Sequence, residues 1–143
     1  MRYSDLEAFV TAGLTAKGYG TDGHPAMPLL NPGPWAMTQL YELTPNAMVF
    51  LQLGNGAGLT LEHAFDRPFI TVRAIGPQND FATAETLAYD LDNLLLAVGS
   101  NAQVGTARVL YITRSGGGPA LIDLDTANRY HFQTTYITET PTG

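Results

Sequence analysis

The sequence predicts an α+β fold, in which two helices pack on a mainly antiparallel or mixed sheet of about five strands. Three observations carry that prediction. A helical apolar rhythm occupies 4–17 and again 81–98. Period-two alternation marks 69–75 and 129–138. Short turns rich in glycine or aspartate separate the last three strands, the pattern of an antiparallel meander. At 143 residues the chain has the size of one domain, and 1–143 reads as a single unit.

Each element has its own signal. Ser4-Asp5-Leu6-Glu7 has the spacing of a capping box, in which Ser4 would accept from the third helical amide and Glu7 would reach back. Leu6, Phe9, Val10 and Leu14 then share one face, Gly13 weakens the helix, and Gly18 and Gly20 end it. Residues 20–45 hold Pro25, Pro28, Pro32, Pro34 and Pro45, so this stretch reads as irregular, with a short edge strand near 37–43. Residues 46–53 read as a buried strand, closed by Gly54, Gly56 and Gly58, after which 54–67 is expected to be a long loop. In the strand 69–75, Phe69, Thr71, Arg73 and Ile75 share one face, and Ile70, Val72 and Ala74 the other.

The second helix is the clearest element. Asn79-Asp80 offers an N-cap, Gly99 a stop, and Phe81, Ala84, Ala88, Leu91, Leu95 and Val98 form one stripe. Ala84 and Ala88 in that stripe would let it lie close on a sheet. Strands follow at 106–114, 119–124 and 129–138, with Ser115-Gly116-Gly117-Gly118 as a hairpin turn and Asp125–Asn128 as the next turn.

Composition narrows the function. Hydrophobic residues make up 45% and charged residues 14%, enough apolar content for a core and too much for a disordered chain. The net charge of −6, without a Lys/Arg cluster, speaks against sequence-specific nucleic-acid binding. Six of the seven basic residues are arginine, which suits fixed bidentate contacts and interfaces better than lysine does. There are no cysteines, which removes disulfides, thiolate metal sites and cysteine nucleophiles. No signal-peptide core is expected at the N-terminus, and the apolar run 94–98 falls far short of the ~20 residues that span a bilayer, so no membrane partner is expected.

No constellation points to chemistry. Gly54-x-Gly56-x-Gly58 follows a strand, but a dinucleotide fingerprint needs its third glycine at the position of Leu59. A mobile connection is the better reading, with Gly54, Gly56 and Gly58 as a candidate docking loop. His24, His63 and His131 lack metal-ligand spacing, and His131 is expected on an exposed strand face. Asp90 and Asp92 diverge on a helix, whereas Asp123 and Asp125 flank a turn, where aspartate caps its own backbone. No cofactor, metal or enzymatic activity is expected. Arg73, Arg108 and Arg114 lie on predicted strands. Either they pair with nearby acids on a solvated face, worth about 0–1 kcal/mol each, or they cross a subunit interface.

The second half has a family resemblance. Residues 67–76 (RPFITVRAIG), 79–85 (NDFATAE), 107–114 (ARVLYITR) and 129–132 (RYHF) resemble the central strand, helix and meander of tail terminator and minor capsid (tail-completion) proteins of long-tailed, non-contractile bacteriophages. The resemblance covers 46–138 and is particularly to phages of actinobacterial hosts. It implies a virion protein at the tail–neck junction, assembled in the host cytoplasm into a ring, usually of six copies. Such a ring caps the tail tube, stops its polymerisation, and joins the tail to the head. The implied partners are further copies of the chain, the major tail tube protein and the head–tail connector (stopper) protein. Two alternatives stand beside it: a ring-forming head-closure protein, and a small ligand-binding or hydrolase domain using His63 or Asp66.

Overall fold

A four-strand-wide sheet organises the chain, and its last position is shared end to end by two short strands. The computed structural model describes residues 1–17, 48–57, 65–99 and 102–141. Among them are helices α1 (Tyr3–Ala16) and α2 (Phe81–Leu96) and seven strands. The strands are β1 (Met48–Ala57), β2 (Phe65–Ile75), β3 (Ala102–Val104), β4 (Ala107–Val109), β5 (Tyr111–Arg114), β6 (Ala120–Leu124) and β7 (Tyr130–Pro141). The main sheet runs β1-β2-β7-β5, with β6 also on β7, while β3 and β4 form a separate hairpin. Every pairing among these strands is antiparallel, so the fold is α+β with an antiparallel sheet.

The helices cover one face of the sheet. Val49 and Leu51 of β1, Ile70, Val72 and Ala74 of β2, and Phe132 and Tyr136 of β7 are cross-strand neighbours on that face, all buried. Against them pack Ala84, Leu87, Ala88, Leu91 and Leu95 of α2, then Leu6, Val10 and Leu14 of α1. The two alanines and Leu91 and Leu95 occupy the stripe read from the sequence. Phe81 does not: it is 41% exposed and stacks edge-on against Tyr130, with centroids 5.1 Å apart. Val98 lies beyond the helix and is half-buried. Gly13 sits where the helices touch, since a Cβ there would come within 2.4 Å of the Leu94 side chain. It is a close-approach residue as well as a weak helix former.

Several expected boundaries move. The first turn of α1 is closed by Asp5, not by the Ser4–Glu7 box: the Arg2 amide donates to Asp5 Oδ2 at 3.0 Å. β1 continues through Gly54, which pairs with Phe69, and after an irregularity Ala57 pairs with Arg67. β2 therefore begins at Phe65 instead of 69. The loop expected over 54–67 is strand at both of its described ends. Gly54 and Gly56 belong to β1, while Gly58 lies outside the described residues, as do the proline-rich segment 20–45, His24 and His63.

The largest correction concerns the meander. β5 and β6 do not pair with each other. Arg114 lies opposite Tyr136 and Tyr111 opposite Glu139, whereas Ala120 lies opposite Gln133 and Leu124 opposite Tyr130. The two strands thus run in line along one edge of β7. Ser115–Gly118 carries the chain from one half of that edge to the other and is not a hairpin turn. The strand expected over 106–114 is likewise split, since 107–109 turns back on β3 and only 111–114 joins the main sheet.

Candidate functional site

The β5 half of this edge is built into the core. Arg114 points to the helix side, where its guanidinium donates to both carboxylate oxygens of Asp92 on α2. The Tyr136 hydroxyl donates to Asp92 Oδ1 at 2.7 Å. Asp92 is 1% exposed, so this carboxylate is sealed in and held by three donor groups from two neighbouring strands. Burial alone would raise its pKa, but the bonds from Arg114 and Tyr136 outweigh that and lower it. Burial, followed by the Asp92 contact, pushes the Tyr136 phenol well above its ordinary range. The cluster fastens α2, β5 and β7 together.

The β6 half is the opposite. All five of its residues are exposed, and Leu121, Ile122 and Leu124 are 49%, 44% and 50% accessible. Between Leu121, opposite Phe132, and Asp123, opposite His131, the register shifts, so Ile122 is an extra residue in a bulge. Leu121 and Leu124 flank Phe132 and Tyr130, the two rings that Phe81 touches at 5.5 and 5.1 Å. An exposed apolar strip therefore joins the sheet edge to the N-terminus of α2. Soluble proteins usually protect such edges, and an apolar one marks a contact site.

The turn leading from β6 into β7 is rigid. Asp125 Oδ1 accepts from the amides of Ala127 and Arg129 at 2.8 and 3.0 Å, the self-capping that its place in a turn implies. Asp125 Oδ2 lies 2.7 Å from Nε2 of His131. His131 is fully buried opposite Ile75, so the exposed face expected for it is wrong. Asn128 and Asn79 both take positive φ, 58° and 59°, and the Asn79 amide donates to the Asn128 carbonyl at 2.8 Å, which locks this turn to the entry of α2.

At the other end of β7 sits the β3–β4 hairpin. Its turn residue Gly105 has φ +61°, and a Cβ there would meet Asp5 Oδ1 at 2.7 Å. Glycine is required twice over, for the dihedral and for the space. The closeness lets Asp5 accept from both the amide and the hydroxyl of Thr106, at 2.8 and 2.7 Å, and these bonds lower the Asp5 pKa. The hairpin is thereby clasped to the start of α1. Ala102, Gln103, Thr106 and Arg108 line a depression of about 300 Å³ on it.

The arginines singled out in the sequence are not brought together. Arg114 is engaged inside the chain by Asp92, and Arg73 donates to Gln133 Oε1 through Nε and Nη2 at 3.1 and 2.7 Å. Arg108 alone of the three stands exposed without a described partner. Sequence reasoning missed the β6 surface, although Leu121-Ile122-Asp123-Leu124 lacks the alternation of a half-buried strand. Among the described residues there is no group of three or more His, Asp or Glu side chains able to hold a metal. No helix among them is long and apolar enough to cross a membrane.

No protein-family model and no curated protein matches this sequence. Solved structures do resemble it. A chain of the virion of a native gene transfer agent particle aligns at 17% identity and a TM-score of 0.54, covering 97% of this chain and 90% of that one. A second solved chain aligns at 17% identity and a TM-score of 0.50, covering 96% of each. At such identities the likeness is one of fold, extending over nearly the whole length of both partners.

Proposed function

We propose that the protein is a structural, non-enzymatic component of a phage-type virion, and that within it the chain is the tail terminator. The supporting observation is the shared fold, over 97% of this chain, with a chain of a virion particle. The residue pattern of 67–85 and 107–132, which resembles the tail-completion proteins, supports the finer assignment. Fold likeness alone is weak ground for function, so the surface must also fit. Among the described residues the exposed features include an apolar sheet edge and a hairpin, and both are suited to protein contacts.

The mechanism follows from the geometry of a growing tube. A helical tube presents the same docking surface after each added ring, so nothing within its own subunit ends growth. A ring that matches the tube end on one face and offers a different face outward blocks further addition. The outward face then docks the head connector. Such a ring needs head-to-tail contacts between copies, in which one patch meets a different patch and the rotation closes.

Antibody labelling of intact particles tests the assignment. Gold at the junction of head and tail supports it. Label along the whole tail, or absence of the protein from purified particles, sinks it.

A further inference from the structure

The charged side chains that the fold leaves over are sorted by position. Among the described residues, most acids and bases have hydrogen-bond or ion-pair partners. Four with described side chains do not: Arg2, Glu85, Arg108 and Asp123. They are not scattered. Arg108 is on the β3–β4 hairpin, and Arg2 begins α1, which Asp5 clasps to Thr106 of that same hairpin. Asp123 is in β6, and Glu85 lies one turn along α2 from Phe81, which packs on Tyr130.

The two pairs stand at opposite ends of β7. Leu110, just after the hairpin, donates to the Glu139 carbonyl, whereas Asp123 lies opposite His131. β7 has 12 residues, so its ends are roughly 35 Å apart at ~3.3 Å per residue. One end therefore carries leftover positive charge. The other carries leftover negative charge on both sides of the β6 edge, with Asp123 on the sheet face of His131 and Glu85 on the α2 side, where the exposed Leu121 and Leu124 lie. A surface that is complementary to another part of the same molecule, and not to itself, favours a head-to-tail neighbour over a two-fold dimer.

We propose that the β6 edge, with Asp123 and Glu85, docks on the β3–β4 hairpin, with Arg108 and Arg2, of a second copy of this chain. The leucines supply apolar burial and the charges set register and direction. The bulge at Ile122 fits this mode of docking, since a bulged edge is poor at continuing a flat ladder and presents side chains instead. The contact deepens the ring reading by naming the two faces that would meet, and it is tested without reference to tails.

The chain has no cysteines, so engineered ones report cleanly. Leu124→Cys protein is mixed with Gln103→Cys protein and oxidised, both at high concentration and in assembled particles. Both sites are exposed and leave the four charges in place. The expected result is a cross-link in the mixture that neither protein gives alone, and a ladder closing on one species when a single chain carries both. Asp123→Arg should lower the yield about tenfold, and Arg108→Asp on the partner should restore it. Three results overturn the contact: no mixed cross-link in either setting, Leu124→Cys linking to itself as strongly as in the mixture, or indifference to charge reversal. If the cross-link fails while the protein still terminates tails, only the contact is wrong. If it forms while particles lacking the protein have normal tails, the functional reading is wrong and the contact stands.

Discussion

Two short strands, β5 and β6, lie on the same edge of β7 and differ in nearly everything else. β5 carries Ile112 and Arg114 toward α2, and its arginine meets a carboxylate that is 1% exposed. β6 has no buried residue. The difference is one of coverage: α2 lies over the β5 half, while only its first residue, Phe81, reaches toward the β6 half. Pairing with a sheet thus does not by itself make a strand part of the core. The half under the helix holds the fold together, and the half beyond it is available for contact.

Substitutions can break or sharpen that contrast. The largest effect belongs under the helix. Leu91→Asp places an unpaired charge among Ala88, Leu95 and the sheet, and should cost more than about 4 kcal/mol and abolish cooperative melting. An unchanged melting temperature would show that α2 does not pack where described. Next is Asp92→Ala, which takes from the Tyr136 hydroxyl its carboxylate acceptor and should cost about 1–3 kcal/mol by denaturant titration. The matching change across the edge, Asp123→Ala, should stay within about 0.5 kcal/mol. Equal costs would erase the distinction between the halves.

Acid should act on the same asymmetry. Asp5, Asp80 and Asp92 all have lowered pKa values, through Thr106, through Thr83, and through Arg114 and Tyr136 against the opposing effect of burial. A carboxyl whose folded pKa lies below its unfolded value of about 3.9 stabilises fully above that pH. The contribution is lost as pH falls from there through the folded value. Melting temperature should therefore drop on acidification below about pH 4, and Asp92→Asn should flatten that limb. The smallest effect on stability is expected from Leu121→Ser with Leu124→Ser. Each should cost less than about 0.5 kcal/mol because both side chains are half exposed, while assembly measured by light scattering at high concentration is lost.

Much of this architecture was legible in the sequence. The stripe through Ala84, Ala88, Leu91 and Leu95 and the alternation of β2 predict the helix, the strand and the faces they bury. Asp92 lies four residues after Ala88 and three before Leu95, on that same stripe, yet its charge hides it. What makes it tolerable in the core is Arg114, 22 positions away, brought there only by strand pairing. The edge shared by β5 and β6 was illegible for a related reason. Two strands of four and five residues joined by glycines look like a hairpin, and only a partner as long as β7, at 12 residues, can pair with both. Gly54 and Gly56 misled in the other direction, since glycine can mark a loop or an irregular strand end.

The role proposed for this protein is to end a tail tube. The direct measurement is electron microscopy of particles made without the protein, with tail lengths measured one by one. Full heads beside unjoined tails of uncontrolled or excess length are expected, and adding purified protein to tails of the right length should restore joining. Tails of normal length, with heads that leak their contents, would contradict the account and assign the protein to head closure.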